Sequence, residues 1–334
     1  ANLMSAGSSL PYRLRPNKAV DRELFLSLLM RLAPKLSLEK YHYVGLGGPF
    51  LEDFRLVHGR LGIATMTCIE TEEQVHKRQV FNRPIASIEC IHRSLEDYLD
   101  ETDFDTPTII WLDYTEPKGI TTQIERFART IGTVPVGSVL RVTLNANPTA
   151  LGNPDPKDLS VEIEGEASED RVMKPTIQEW RLARFKERLG ALFPSGLTAD
   201  GMTFKEYGRS LLRVLKLAVD NEVLSFRDRR IVWALATHYA DGQAMVTAAL
   251  VVAPKDDTSI EELVKGWEFY TTTDFPHRLD LPALSTLERL TMESNDDAKT
   301  RLGFDLPPSG MGTDPFEVFK KFYRIYPHFS RVEL

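Results

Sequence analysis

The sequence predicts an α/β fold: a sheet of about seven strands, mostly parallel and completed by a late antiparallel hairpin, with helices on both faces and helical additions behind it. Three observations predict it. Before position 145, five short apolar runs alternate with stretches of helical period. Two longer apolar runs, near 230–239 and 244–253, are separated by Ala240-Asp241-Gly242-Gln243. After Pro254 the chain reads as helices and loops. Strands alternating with helices imply right-handed crossovers and a parallel sheet. Asp-Gly between two alternating apolar runs is a strong hairpin signal.

The elements follow in order. Asn17 and Asp21 precede a helix in which Leu24, Phe25, Leu28, Leu29 and Leu32 recur at helical spacing, with Pro34 ending it. Residues 41–46 form a buried strand that opens into Gly45-Leu46-Gly47-Gly48-Pro49, and a helix spans 51–58. Strands are expected at 63–70, 87–92, 108–113 and 138–144, and helices at 72–81 and 120–131. Ser94-Leu95-Glu96-Asp97 is similar to a capping box opening a short helix. Residues 150–174 are acidic and lack an apolar period, which predicts an excursion or lid. Helices at 177–189 and 203–218 lead to the hairpin, and a final aromatic stretch runs over 316–329. The expected organisation is an extended segment at 1–16, a main domain at 17–254 and a helical extension at 255–334.

Bulk properties exclude several classes. No apolar run approaches the ~20 residues of a membrane span, so no membrane association is expected. Ala1–Ser9 has no signal-peptide core, and two cysteines, Cys68 and Cys90, cannot make a disulfide scaffold, so a cytoplasmic protein is expected. A net charge of −7 opposes nucleic-acid binding over the whole surface and favours a small-molecule substrate. A homo-oligomer is left open.

Five motifs carry chemistry. The glycines of Tyr43-Val44-Gly45-Leu46-Gly47-Gly48-Pro49-Phe50 follow the first strand, where a ligand can approach the backbone. A dinucleotide fingerprint would need glycine at position 50, where Phe50 stands. Glu52 and Asp53 at the next helix start suit a cationic ligand and oppose a pyrophosphate. Glu70 ends the second strand and is placed to accept ribose hydroxyls; the ordinary structural reading makes it an acid at the start of the next helix. Ser94 follows the third strand and doubles as an N-cap. Asp113 leaves an otherwise apolar strand in Asp113-Tyr114-Thr115-Glu116-Pro117, and Glu116 is a second acid there. Pro11-Tyr12-Arg13-Leu14-Arg15-Pro16-Asn17-Lys18 puts three bases and an aromatic on an extended lead-in, suited to an anionic substrate.

Strand order and these motifs together resemble the class I S-adenosylmethionine-dependent methyltransferases, a Rossmann-like superfamily, over about residues 17–254. The resemblance is to O-methyltransferases with a degenerate glycine motif, because Tyr43 stands where the family usually has an acid and Pro49 where it often has a third glycine. It implies S-adenosylmethionine as cofactor, held by Gly45, Leu46, Gly47, Gly48, Glu70, Ser94 and Asp113. It implies Asp113 and Glu116 as catalytic candidates, and Tyr12, Arg13, Arg15, Lys18 and Tyr114 as substrate contacts. Asn145 and Asn147 stand where metal-dependent relatives carry an Asp-Asn pair, and asparagines alone make a poor hard-cation site, so no metal is expected. The acceptor is expected to be oxygen on a small molecule rather than a nucleic acid. Two alternatives stay open: an inactive methyltransferase-like binding or regulatory module, and a nicotinamide-dependent oxidoreductase.

Overall fold

Proline suits the first turn of a helix, where its fixed φ is already helical and its missing N–H has no partner to lose. In the computed structural model Pro16 opens α1 (Pro16–Leu36), and the structure describes residues 15–155, 174–294, 297–307 and 310–327. The helix is longer than its apolar period predicts. Asn17, Lys18 and Asp21 lie inside it, and Pro34 sits in its last turn rather than ending it. Pro34 removes a hydrogen bond to the Met30 carbonyl, on a side of the helix where Met30 is exposed and water can substitute.

The chain continues through β1 (His42–Gly45), α2 (Glu52–Leu61), β2 (Thr65–Glu70), α3 (Glu73–Asn82), β3 (Ile88–His92), α4 (Leu95–Glu101), β4 (Thr108–Asp113), α5 (Ile120–Thr133) and β5 (Val139–Asn145). After residues 156–173, which lie outside the described residues and hold most of the expected acidic excursion, come α6 (Ile177–Leu189), α7 (Tyr207–Val223), β6 (Arg229–Ala240) and β7 (Ala244–Pro254). The last elements are α8 (Ser259–Lys265), β8 (His277–Leu279), α9 (Thr286–Ser294), α10 (Ala298–Leu302) and α11 (Pro315–Phe322).

The strands form one sheet of eight in the order β3-β2-β1-β4-β5-β7-β6-β8. β7 runs antiparallel to both β5 and β6, and the remaining pairings are parallel. β8 was not expected: three residues are too short to show a period, and it joins the sheet edge beside β6. Side chains alternate across the sheet. On β4, Ile109 and Trp111 join one core with Leu24, Phe25 and Phe54, while Ile110 and Leu112 join the other with Ile124, Phe127 and Leu211. Among the described residues no helix is long and apolar enough to cross a membrane.

Register decides where the site lies. Gly45 is opposite Cys68 and Trp111, Glu70 is opposite His92, and Asp113 is opposite Thr143. The carboxyl ends of β1 to β5 therefore share one edge, and the strand order reverses between β1 and β4. Open α/β sheets bind ligands in the crevice at such a reversal.

Candidate functional site

The glycine loop occupies one side of the reversal. Gly45 ends β1. A Cβ on Gly47 would stand 2.7 Å from Leu51 Cδ2, 2.9 Å from Phe54 Cε2 and 3.0 Å from Cys68 Sγ. Packing onto α2 and β2 thus demands this glycine before any ligand is considered. Gly48 turns the chain at φ +53°, a left-handed conformation that favours glycine. The buried Pro49 replaces a third glycine, and its carbonyl accepts Asn82 Nδ2 at 2.8 Å, tying the loop to α3. Tyr43 is buried edge-on against Phe54, so it supports the loop and does not face solvent.

Several residues expected to meet ligand also have structural employment. Glu70 sits at the end of β2, and its Oε1 accepts the Glu72 N–H at 2.9 Å. Ser94 Oγ accepts the Asp97 N–H at 3.0 Å and caps α4. Glu116 is exposed, and its Oε1 accepts the Lys118 N–H at 3.1 Å within the loop. Leu46 is half-buried against the second core. Asn145 ties the end of β5 to the loop after β4 by donating to the Thr115 carbonyl at 3.1 Å, and Asn147 accepts the Thr149 N–H. Among the described residues no three His, Cys, Asp or Glu side chains converge as a metal site.

Three expectations are corrected. Glu52 and Asp53 do not present free charge to a cationic ligand, because Arg22 on α1 takes both: Nε pairs with Asp53 Oδ1, and Nη1 lies 3.4 Å from Glu52 Oε2. Tyr114 is buried rather than exposed for contact with a substrate. It follows Asp113 on the opposite face, in the core with Leu99 and Ile124, where burial and the Glu96 charge push its phenol up. Lys18 is not on an extended lead-in but in the first turn of α1, buried. Arg15 is the residue just before that helix, and Tyr12 and Arg13 lie outside the described residues.

Lys18 brings the site its charge. Its Nζ donates to Asp113 Oδ2 at 3.0 Å, with the two side chains 7% and 6% exposed. Burial alone would raise the Asp113 carboxyl. The Lys18 ammonium outweighs it, with help from Thr143 and Arg141, and holds the group below the usual carboxylate range. Asp113 Oδ1 is buried and accepts no hydrogen bond of good geometry among the described residues, although the Thr143 hydroxyl opposite it lies near enough to help lower the carboxyl. A buried acceptor left unpaired is costly, which is why such an atom at a crevice points to a ligand.

A second buried pair supports the first. Asp21, one turn along α1, pairs with Nη2 of Arg141 on β5, both fully enclosed. Asp21 Oδ1 also accepts the hydroxyls of Thr237 at 2.6 Å and Thr247 at 3.0 Å, from β6 and β7. The Arg141 guanidinium packs against the rings of Phe25 and Trp111, at 4.5 and 4.2 Å from their centres. Sequence reasoning missed this pair. Its signal was a charged residue at two core positions: Asp21 in register with Leu24, Phe25 and Leu28, and Arg141 within an apolar strand.

A sheet ordered 3-2-1-4-5-7-6 with its seventh strand reversed, and glycines and acids at the carboxyl edge, defines the class I methyltransferase fold, here extended by β8. Within that class the chain belongs to the family described as "Putative O-methyltransferase", whose model matches residues 10–334. No curated protein matches. Similar solved structures include the plantazolicin methyltransferase BamL, 13% identical over 72% of this chain and 88% of that one, with a TM-score of 0.36. The N-methyltransferase NodS from Bradyrhizobium japonicum is 10% identical over 70% and 97%, TM-score 0.34. An rRNA methylase from Streptococcus thermophilus is 11% identical over 69% and 96%, TM-score 0.34.

Proposed function

We propose that the chain moves a methyl group from S-adenosylmethionine to a hydroxyl oxygen of an acceptor seated over Asp113. The observation that carries this reading is the Asp113 carboxylate at the sheet reversal: one oxygen on Lys18 Nζ, the other buried without a well-formed hydrogen bond among the described residues. The residues that would hold the cofactor are the backbone of Gly45, Leu46, Gly47 and Gly48, the carboxylate of Glu70, the hydroxyl of Ser94 and the edge of Asp113. When bound, S-adenosylmethionine supplies a methyl group activated by a sulfonium.

Asp113 Oδ1 has no well-formed hydrogen bond among the described residues, and an acceptor O–H supplies one while fixing the direction of the oxygen lone pair. Alkylation makes that hydroxyl proton strongly acidic, so a carboxylate held ionised by Lys18 is basic enough to take it at Oδ1. A base of raised pKa is unnecessary, because positioning supplies much of the rate of an in-line displacement. The family's description supports oxygen as the acceptor atom, and the net charge of −7 supports a small molecule over a nucleic acid.

A second reading, a module that does not turn over, is favoured by the employment of Glu70, Ser94 and Glu116 within their own loops and caps. Methyl-labelled S-adenosylmethionine offered with a panel of small hydroxyl compounds separates the two. The proposal expects label transfer and a fall of about 10²–10⁴-fold in Asp113→Asn at saturating S-adenosylmethionine. Transfer by Asp113→Asn at the wild-type rate would remove Asp113 from the reaction.

A further inference from the structure

We infer that Asp241, at the tip of the β6–β7 hairpin, is the positioning residue that holds Lys18 against Asp113. The inference rests on the acceptor site proposed above and names a control over it.

A helix leaves its first N–H groups without internal partners. The side chain of Arg15, at the N-cap position of α1, accepts from none of them. The cap comes instead from a turn 224 residues away in sequence: Asp241 Oδ1 accepts the Asn17 N–H at 3.4 Å and Asn17 Nδ2 at 2.9 Å. Asp241 Oδ2 accepts the Lys18 N–H at 2.8 Å. Asn17 completes the clamp, donating to the Ala240 carbonyl at 3.2 Å and accepting the Leu281 N–H at 2.9 Å. The first turn of α1 is therefore gripped between the hairpin tip and the chain leaving β8.

Turn chemistry alone explains an Asp-Gly pair, since Asp commonly bonds its own turn backbone. It does not explain why both carboxylate oxygens of Asp241 leave the hairpin for another element. A carboxylate on a helix N-terminus is also favoured by the helix dipole. The consequence falls on Lys18, whose backbone N–H is held by Asp241 and whose Nζ is held by Asp113. A lysine fixed at both ends of its side chain has surrendered most of the rotamer freedom that would let the ammonium wander. Closure of the hairpin thus sets the charge environment of the acceptor carboxylate.

Asp113 faces Lys18 from α1, Arg141 and Thr143 from β5, and Tyr239 from β6. Its titration therefore reports whether Lys18 is in place. The test is a carbon-13 NMR titration of the Asp113 carboxyl in the full chain. It compares wild type, Asp241→Ala, Asp241→Asn, Lys18→Met and the double variant Asp241→Ala/Lys18→Met. Thermal melting and calorimetry with S-adenosylhomocysteine accompany each protein.

Asp241→Ala is expected to raise the Asp113 midpoint by about 1 pH unit, as for a carboxylate losing a nearby cation. Lys18→Met is expected to raise it at least as far, and the double variant to match Lys18→Met, because Asp241 acts through Lys18. Asp241→Asn, which can accept at one atom only, falls between wild type and Asp241→Ala, and it carries the test if Asp241→Ala does not fold. A folded Asp241 variant that leaves Asp113 at its wild-type midpoint while Lys18→Met moves it overturns the inference, as do shifts that add in the double variant. Failure of wild type to bind S-adenosylhomocysteine would instead count against the cofactor reading, and the Asp113 midpoints would still judge Asp241.

Discussion

Replacing Arg141 by methionine removes the cation from an ion pair whose side chains are both 0% exposed. Breaking a buried pair by deleting one partner typically costs about 3–5 kcal/mol, because the remaining charge is stranded. Here Asp21 keeps the Thr237 and Thr247 hydroxyls on Oδ1, and hydrogen bonds to a charge are worth ~1.5–3 kcal/mol each. That retention places the electrostatic loss near the lower end, at about 3 kcal/mol. The guanidinium also sits within 4.5 Å of the Phe25 and Trp111 ring centres. A desolvated cation–π contact is worth ~2 kcal/mol, of which methionine sulfur against the same rings returns ~1 kcal/mol. The sum predicts a loss of roughly 4 kcal/mol for Arg141→Met. Adding Asp21→Asn removes the stranded charge and should restore most of it, since neutral replacements of buried pairs are often tolerated. Urea unfolding of the three proteins at pH 7 measures this through the shift in midpoint at constant slope. A single variant within ~1 kcal/mol of wild type, or a double variant no better than the single, would refute the reasoning.

Other outcomes follow from the same structure. Burial, then the nearby Arg278 and Lys321 charges, lower His238 and His277 respectively to about 4 from an ordinary 6.5. The unfolded chain therefore binds more protons between these values, and the stability each neutral imidazole contributes is complete above pH 6.5 and lost as pH falls toward 4. At pH 5 the loss is about 2 kcal/mol per histidine, so urea midpoints should fall clearly between pH 7 and pH 5; equal midpoints would contradict it. Gly47→Ala places a Cβ against Leu51, Phe54 and Cys68, and overpacking of this kind costs about 1–3 kcal/mol. Its thermal midpoint should drop even without cofactor, and an unchanged midpoint would show that the loop yields.

Much of the architecture was legible in the sequence, for identifiable reasons. Apolar runs such as Thr108–Asp113, whose β4 residues are buried on both faces, cannot belong to a surface element. Asp241-Gly242 marked the hairpin, with Gly242 at φ +85°. Ser94 caps α4 as its spacing predicts. What the sequence did not disclose depends on contacts between distant segments. Nothing local shows that Arg22 answers Asp53, that Asp241 caps α1, or that Lys18 reaches Asp113 across 95 positions. The start of α1 was misjudged because Asn17, Lys18 and Asp21 in its first turns are polar and look like lead-in; they are polar because they make the buried contacts of the site. Tyr114 was misplaced for a simpler reason: successive strand positions point to opposite faces, so Asp113 and its neighbour cannot share the crevice.

The central claim is that the glycine loop, Glu70 and the Asp113 edge hold a sulfonium cofactor. A calorimetric titration of wild type and Glu70→Ala with S-adenosylmethionine and S-adenosylhomocysteine, with NAD as control, tests it most directly. The account predicts saturable binding of both sulfur compounds, no binding of NAD, and affinity at least ~10-fold weaker in Glu70→Ala, the loss expected for a hydrogen bond to a charged group. A cooperatively folded wild-type protein that binds neither sulfur compound would contradict it.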